Sequence, residues 1–197
     1  MQPAQHPRVV AVLLAAGAGS RFEGPTHKLL ATIDGLPVWQ HALNAALNAD
    51  VPVVLVTGAA ELTPVPPGVT VVHNSNWQRG QAGSLALGIQ AARDLGAEVV
   101  VAGLADQPGV TASAWRRLVQ HTADLAVATY DGRRGHPVRI AQSYWPELPT
   151  DGDLGARDVL ARHANAVEQI PCEGSPDDID TAKDLERWLR RSPTSSP

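Results

Sequence analysis

Continuous apolar runs, separated by stretches with helical spacing, dominate the hydrophobic pattern of the chain. Residues 9–14 are apolar at every position, which predicts a strand buried on both faces of a sheet. Similar runs recur down the chain. The predicted strands are 9–14, 51–56, 69–72, 98–104 and 125–130, with a short sixth at 137–140. The predicted helices are 38–48, 84–95, one from an N-cap at Thr111 through Trp115 and Leu118, then 155–163 and 181–189.

The regular alternation of strands and helices predicts the fold class. It indicates a doubly wound α/β fold with a mostly parallel, mixed sheet, in which ligands bind at the carboxyl ends of the strands. We predict one domain over residues 1–191. Residues 192–197 are rich in Ser and Pro, and we predict a flexible tail there.

Composition narrows the classes of partner. Of the 197 residues, 44% are hydrophobic and 18% are charged, which is enough apolar material for a sizeable core. The net charge is -4 and no long basic run occurs, so a nucleic acid partner is disfavoured. The single cysteine, Cys172, excludes an internal disulfide and a cysteine-based zinc site. With neither a leader pattern nor a membrane-length apolar stretch, we expect a cytoplasmic protein without a membrane partner.

A loop of small residues follows the first predicted strand. Residues 14–22 read LAAGAGSRF, and Lys28 follows. Small side chains allow backbone N–H groups to approach phosphate oxygens closely, and glycine permits the positive φ angles such loops use. Arg21 and Lys28 add two positive charges, which suits a triphosphate.

Two better-known glycine motifs do not fit this loop. The dinucleotide motif G-x-G-x-x-G would need a glycine where Phe22 stands. The P-loop motif would need Lys directly after Gly24, where the chain has Pro25, although Thr26 fits its last position. A plain strand-to-helix turn remains an alternative at this point.

The loop, continued by the KLL of residues 28–30, resembles the MobA-like nucleotidyltransferases. Among them it is most similar to the molybdenum cofactor cytidylyltransferases, although the spacing from Phe22 to Lys28 is longer than is usual there. Further segments resemble motifs of the same family, so that the likeness runs from residue 9 to residue 189. They are NWQRGQAGSL at 76–85, LADQP at 104–108, GRRGHPV at 132–138, GDLGAR at 152–157 and DIDTAKDL at 178–185.

The resemblance implies a Rossmann-like nucleotidyltransferase fold, a reaction and a site. It implies transfer of CMP from CTP to Mo-molybdopterin with release of pyrophosphate, Mg²⁺ as cofactor, and a molybdenum hydroxylase as recipient of the product. Ala16 stands where the guanylyltransferase branch has Gly, which favours CTP over GTP as donor. The implied catalytic residues are Arg21, Lys28 and Asp106, with Asp106 and Asp180, or else Asp178, as metal ligands. The implied nucleotide-binding residues are Leu14, Ala15, Ala16, Gly17, Gly19, Ser20, Gln81, Gly83 and Ser84, and the acceptor-binding residues are His136 and Arg157.

Some of these residues also have purely structural interpretations. Ser84 is a possible helix cap, and Thr181 with Asp184 forms a capping-box pattern. His136, between Gly135 and Pro137, is expected on an exposed loop.

Three other functions stay open. One is a nucleotidyltransferase for another small metabolite or sugar phosphate. The second is an NAD(P)-dependent reductase, which the missing third glycine disfavours. The third is a non-catalytic molybdopterin carrier, which would have no need of Asp106 and Lys28 to hold a triphosphate and its metal ion.

Overall fold

The computed structural model describes residues 7–191, which form a layered α/β structure. The strands are β1 (Val9–Ala15), β2 (Thr32–Ile33), β3 (Leu36–Pro37), β4 (Val53–Thr57), β5 (Val69–His73), β6 (Val99–Leu104), β7 (Leu125–Tyr130), β8 (Arg133–Ala141) and β9 (Val167–Pro171). The helices are α1 (Val38–Leu47), α2 (Gln81–Asp94), α3 (Ala112–Gln120), α4 (Ala156–Arg162) and α5 (Ala182–Arg191). Short 3₁₀ helices occupy Lys28–Leu30, Trp77–Arg79 and Gln142–Glu147.

Seven strands form one mixed sheet in the order β5-β4-β1-β6-β8-β7-β9. All neighbouring pairs are parallel except those made by β8, which is antiparallel to both β6 and β7. The predicted doubly wound, mostly parallel mixed sheet is therefore confirmed. The chain passes from β1 to β4 and β5 on one side and then crosses to β6 on the other side of β1, so the carboxyl end of β1 is the switch point at which such sheets bind ligands.

Alternation along β1 explains why every residue of this run is apolar. Ala11, Leu13 and Ala15 face a core covered by α1, α3 and part of α5. Val10, Val12 and Leu14 face the opposite core, which is covered by α2 and α4. A strand covered on both faces cannot carry polar side chains without burying them, as expected for a parallel sheet between helices.

The region of β7 and β8 differs from the prediction. A short strand at 137–140 after an exposed loop was expected, but β8 begins at Arg133 and has 9 residues, so His136 lies in a strand and is half-buried. Asp131 and Gly132 both have positive φ (49° and 78°) and form a two-residue hairpin turn between β7 and β8. Asp-Gly is a strong signal for such a turn, and it could have been read from the sequence.

A buried arginine anchors β8 to α3. Arg139 is 1% exposed, and its guanidinium donates to the carbonyl oxygens of Leu118, Val119 and Ala123. Burial lowers the pKa of Arg139, partly offset by Asp124. The group therefore supplies the hydrogen bonds that the end of α3 lacks internally.

The remaining differences concern element ends and three missed strands, which are the two-residue strands β2 and β3 and the longer β9. The second long helix begins at Gln81 rather than at residue 84, and β9 was not predicted, because residues 167–171 carry only two buried apolar side chains. Two predicted caps are present: Thr111 accepts from the N–H of Ala114, and Thr181 and Asp184 form the reciprocal capping box. The predicted tail at 192–197 lies outside the described residues. Between residues 7 and 191, no helix combines the length and hydropathy needed to cross a bilayer.

Candidate active site

A cavity of about 520 Å³ opens at the carboxyl ends of β1 and β6, a size typical of small-molecule sites. The register of the sheet explains its position, because Leu14 lies level with Val56 on β4 and with Leu104 on β6. The loops that follow these strands therefore meet at one edge. The predicted site residues that line the cavity are Leu14, Ala15, Ala16, Gly17, Gly19, Ser20, Arg21, Lys28, Gln81, Ser84, Asp106 and Asp180.

Three predicted site residues do not line this cavity. Gly83 is half-buried on α2, where an added Cβ would lie 3.5 Å from the carbonyl oxygen of Thr150. His136 is half-buried on β8, and Arg157 is exposed on α4. The pKa of His136 is lowered to about 4, chiefly by burial and further by the nearby positive charge of Arg157. His136 is therefore neutral near pH 7 and close to Arg157, although both lie away from the cavity wall.

The glycine loop presents a run of unused backbone donors. The N–H groups of residues 17–20 donate to no acceptor among residues 7–191. The loop is held instead through its other backbone groups: the Phe22 N–H donates to the Gly19 oxygen, and the Ala59 N–H donates to the Ala16 oxygen. Gly19 adopts φ +62°, which such concave loops require. Four free donors beside a cavity form an anion-binding surface.

Lys28 sits at the floor of the cavity between two carboxylates. Its Nζ lies 2.6 Å from Oδ2 of Asp106 and 2.8 Å from Oδ1 of Asp180, and its side chain is only 10% exposed. Burial alone would lower the pKa of Lys28, but the two carboxylates outweigh it and the pKa is raised. The ammonium group is therefore charged at neutral pH and held in one position from both sides.

Arg21 extends this charged row to the surface. Its guanidinium contacts Oδ2 of Asp180 at 3.0 Å, while its side chain remains 75% exposed. The row Asp106–Lys28–Asp180–Arg21 thus alternates in sign from the floor of the cavity to its mouth. Because Arg21 is mostly exposed, its pairing with Asp180 is weak enough to exchange for an anionic ligand.

Backbone contacts fix the two carboxylates relative to each other. The Ile179 N–H donates to the Asp106 carbonyl oxygen at 2.8 Å, so the segment before α5 is pinned to the end of β6. Beside it, the side-chain amide Nε2 of Gln107 donates to Oδ1 of Asp178 at 2.7 Å. Burial, followed by the charge of Asp106, raises the pKa of Asp178. The backbone hydrogen bond from Ile179 to Asp106 explains how Asp106 and Asp180, which are more than 70 positions apart in the chain, both contact Lys28.

The carboxylates fit a divalent cation of the kind that the family resemblance implies. Oδ1 of Asp106 is buried and has no hydrogen-bond partner in the described part of the chain, while its Oδ2 binds Lys28. Mg²⁺ commonly takes one or two carboxylates and completes its shell with phosphate oxygens and water. Residues 7–191 contain no cluster of three or more His, Cys, Asp or Glu arranged for a metal. An ion on Asp106 would therefore need ligands from a bound substrate and from water.

The opposite wall of the cavity is made by the start of α2. Asn74 and Ser84 are both buried, and the Asn74 Nδ2 donates to the Ser84 Oγ at 3.0 Å. The Asn74 Oδ1 accepts from the Asn76 N–H at 2.9 Å, which fixes which end of the amide faces Ser84. Since Ser84 accepts from Asn74, its own hydroxyl proton is free to be donated into the cavity. Ser84 is thus a wall residue rather than the N-cap of α2, which is Gly80.

A second segment braces this wall. The Ala82 N–H donates to the Gly152 oxygen, and the Gly152 N–H donates to the Arg79 oxygen, both at 2.9 Å. Gly80 has φ +102°, and an added Cβ would lie 2.4 Å from the Gly152 oxygen. Only glycine fits where these two backbones approach so closely.

Seven cavity residues were not assigned from the sequence. Three of them, Trp77, Gln78 and Asp153, carry polar or aromatic side chains, and the others are Ala18, Leu29, Gly80 and Leu104. Trp77, Gln78 and Asp153 belong to the segments NWQRGQAGSL and GDLGAR, so the motifs marked the region but not these side chains. The 3₁₀ helix that carries Trp77 brings its ring to the cavity. An aromatic ring there offers a flat apolar face beside the polar groups of α2.

Comparisons with known proteins agree with this geometry. Residues 11–167 match the MobA-like NTP transferase domain. The purine catabolism protein PucB of Bacillus subtilis (strain 168) is 27% identical over 93% of this chain and 97% of its own length. The crystal structure of Rv0371c from Mycobacterium tuberculosis H37Rv superposes with a TM-score of 0.81 at 26% identity, covering 93% of this chain and 98% of that one. Its complex with manganese gives a TM-score of 0.77 at 25% identity, over 93% and 99% of the two chains.

Proposed function

The chain belongs to the MobA-like NTP transferase family and is a nucleotidyltransferase, and on that premise we propose that it transfers CMP from CTP to the phosphate of a molybdopterin-type acceptor. Pyrophosphate is the second product. The recipient of the cytidylated cofactor would be a molybdenum hydroxylase. The name of the relative PucB, a purine catabolism protein, is compatible with such a recipient if that hydroxylase oxidises a purine.

One observation carries the proposal: the free N–H groups of residues 17–20 and the ammonium of Lys28 line the same cavity as Asp106. Backbone donors suit the β- and γ-phosphates, whose oxygens accept several hydrogen bonds at once. A buried ammonium suits an α-phosphate, which gains negative charge in the transition state. A dinucleotide reductase or a carrier would have no use for a lysine held between two carboxylates.

In the reaction, an oxygen of the acceptor phosphate attacks the α-phosphorus. A new P–O–P bond forms, the bond to the β-phosphate breaks, and its electron pair leaves with pyrophosphate. The acceptor phosphate is already anionic near neutral pH, so the site needs no general base. Lys28 neutralises the α-phosphate, and Arg21 exchanges its pairing with Asp180 for the departing pyrophosphate. The protein contributes mainly position and fixed charge, as in other phosphoryl transfers.

We propose Mg²⁺ as the cofactor, held by Asp106 with Asp180 as the second carboxylate. The ion would supply charge neutralisation of the phosphate oxygens. The free Oδ1 of Asp106 supports this role. Both oxygens of Asp180 already pair with Lys28 and Arg21, so Asp180 gains an oxygen for the ion when Arg21 turns to the substrate.

The nucleobase would lie against α2, where Gln81 and Ser84 face the cavity. The fixed Asn74–Ser84 hydrogen bond leaves Ser84 as a donor, which favours a base that carries a carbonyl oxygen. Cytosine, uracil and guanine each carry at least one carbonyl oxygen, and adenine carries none. We therefore expect ATP to be the poorest donor, with the choice of CTP over GTP supported by Ala16 in the glycine loop.

The acceptor would enter on the side of His136 and Arg157, which are close enough for the charge of Arg157 to lower the pKa of His136. Arg157 is exposed and positive, as a residue that receives a phosphate should be. The neutral ring of His136 can accept or donate one hydrogen bond without adding charge.

A pyrophosphate-release assay tests the proposal. The protein is incubated with Mg²⁺, molybdopterin and each of CTP, GTP, UTP and ATP in turn. We expect acceptor-dependent release that is fastest with CTP and falls by about 100-fold or more in Asp106→Asn.

Each alternative has its own outcome in this assay. Faster release with a sugar 1-phosphate would replace the acceptor, and faster release with GTP would replace the donor. Molybdopterin binding without any release of pyrophosphate would identify a carrier and refute transfer.

A further inference from the structure

We propose that His27 is a positioning residue that locks the glycine loop to Lys28, an inference that rests on the proposed function. Its Nε2 lies 3.0 Å from the Gly17 carbonyl oxygen, and its Nδ1 accepts from the Leu29 N–H at 3.2 Å. A backbone N–H can only donate, so Nδ1 carries no proton and the proton sits on Nε2, which donates to Gly17. One imidazole thus joins the Gly17 carbonyl of the glycine loop to the short helix that carries the lysine.

The packing around Gly19 shows how closely these parts fit. An added Cβ on Gly19 would lie 2.9 Å from Cγ of Lys28 and 3.2 Å from Nε2 of His27. The loop backbone therefore lies directly on both side chains. The hydrogen bond to Gly17 sets the distance between the free N–H groups and the ammonium, which must act on adjacent phosphates.

The chain itself does not supply this restraint. Residues 23–26, between the loop and His27, are all exposed. An exposed connection leaves the loop free to move relative to Lys28 unless another group holds it, and His27 is the group that does so.

The environment keeps His27 in the required form. Burial lowers its pKa foremost, and the charge of Lys28 lowers it further, against the opposing effect of the Gly17 and Ala18 carbonyls. The neutral ring is therefore the form present near neutral pH, which is the form the two hydrogen bonds need.

Two substitutions separate the two hydrogen bonds. His27→Asn keeps an oxygen that can accept from the Leu29 N–H, as an N-cap does, but is too short to reach Gly17. His27→Gln is long enough to donate to Gly17 but loses the cap geometry. The readouts are kcat and KM for CTP and, separately, the affinity for pyrophosphate in the presence of Mg²⁺.

We expect His27→Asn to raise KM for CTP and weaken pyrophosphate binding by about tenfold or more, with His27→Gln recovering most of the loss. A merely structural cap would give the opposite order, with Asn close to wild type and Gln impaired. That order, or an Asn variant indistinguishable from wild type, would overturn the inference. Wild-type protein that binds pyrophosphate but transfers no nucleotide refutes the proposed function while leaving the pyrophosphate comparison able to test His27.

His121 offers a matched control. Its Nδ1 accepts from the Ala123 N–H at 3.1 Å, the same two-residue step, and its Nε2 lies 3.4 Å from Glu168, away from the cavity. His121→Asn and His121→Gln should leave KM and pyrophosphate affinity unchanged. A similar loss in the His121 variants would show that the effect comes from general destabilisation and would refute a specific role for His27.

Discussion

Replacing Lys28 by Met is the sharpest test of the charged row, because the hydrophobic stem is kept and only the ammonium is lost. At an effective dielectric constant of about 20, unit charges at the two observed distances attract by about 6 kcal/mol each. Desolvation of the partly buried groups offsets much of this gain. Removing one partner of a buried ion pair costs about 3–5 kcal/mol, and we expect the lower end because both aspartates keep some exposure.

The two carboxylates left behind explain why the loss is not smaller. The two oxygens lie 2.6 and 2.8 Å from the same nitrogen, so they are at most about 5.4 Å apart, and without the ammonium they repel by about 3 kcal/mol or more at the same dielectric constant. For a chain of this size, about 3 kcal/mol corresponds to a fall in Tm of roughly 6–12 °C. A divalent cation relieves this repulsion, so Mg²⁺ should raise the Tm of the variant more than that of the wild type, while turnover falls by about 100-fold or more.

Thermal unfolding with and without Mg²⁺, together with pyrophosphate release, measures these effects. The pKa of Lys28 is raised in the folded state, so its contribution is fully present at neutral pH and is lost only as the pH rises through that raised value. Lys183, the only other lysine of the chain and an exposed one, provides the control Lys183→Met. Equal melting of Lys28→Met and wild type, with no larger gain from Mg²⁺, would refute the reasoning.

Three further predictions concern stability. In urea unfolding, Gly80→Ala should lower the free energy of unfolding at least about twice as much as Gly68→Ala. Both glycines have positive φ, but only at Gly80 would the added Cβ also clash with a backbone oxygen. Equal losses would show that φ alone matters. Arg139→Met should lower the free energy of unfolding by about 3–5 kcal/mol, because three carbonyl oxygens lose their donors. Turnover per folded molecule should stay unchanged. A small loss of stability would mean that water replaces the guanidinium. The pKa of His136 falls from 6.5 to about 4 on folding, so its contribution to folding stability is present above pH 6.5 and is lost as the pH falls toward 4. His136→Gln should flatten this part of the pH–stability curve, and an unchanged curve would contradict the shift.

The parts of the site that local sequence could predict are those made by contiguous residues. The apolar run of β1 and the small residues after it predicted both the buried strand and the loop, and the structure shows the loop's free donors at the switch point of the sheet. The two caps at Thr111 and Thr181 were likewise local patterns. In each case the physical cause acts within a few residues of the signal.

What could not be predicted depends on contacts between distant segments. Nothing near Lys28 shows that it lies between Asp106 and Asp180, because that contact follows from the order of the strands and from the backbone bond between Ile179 and Asp106. The start of α2 was placed too late because its cap is Gly80, braced by Gly152 rather than by a capping side chain.

The distribution of the cavity walls along the chain has a consequence for synthesis. The glycine loop leaves the ribosome early, but Asp180 follows only after more than 150 further residues. Until Asp180 has been synthesised, Lys28 can pair only with Asp106 in the charged row, and Arg21 lacks its carboxylate partner at the mouth of the cavity. A nascent chain therefore completes the charged row only when the segment before α5 docks on the end of β6, so the cavity gains its full set of charges only after all seven strands of the main sheet have been synthesised.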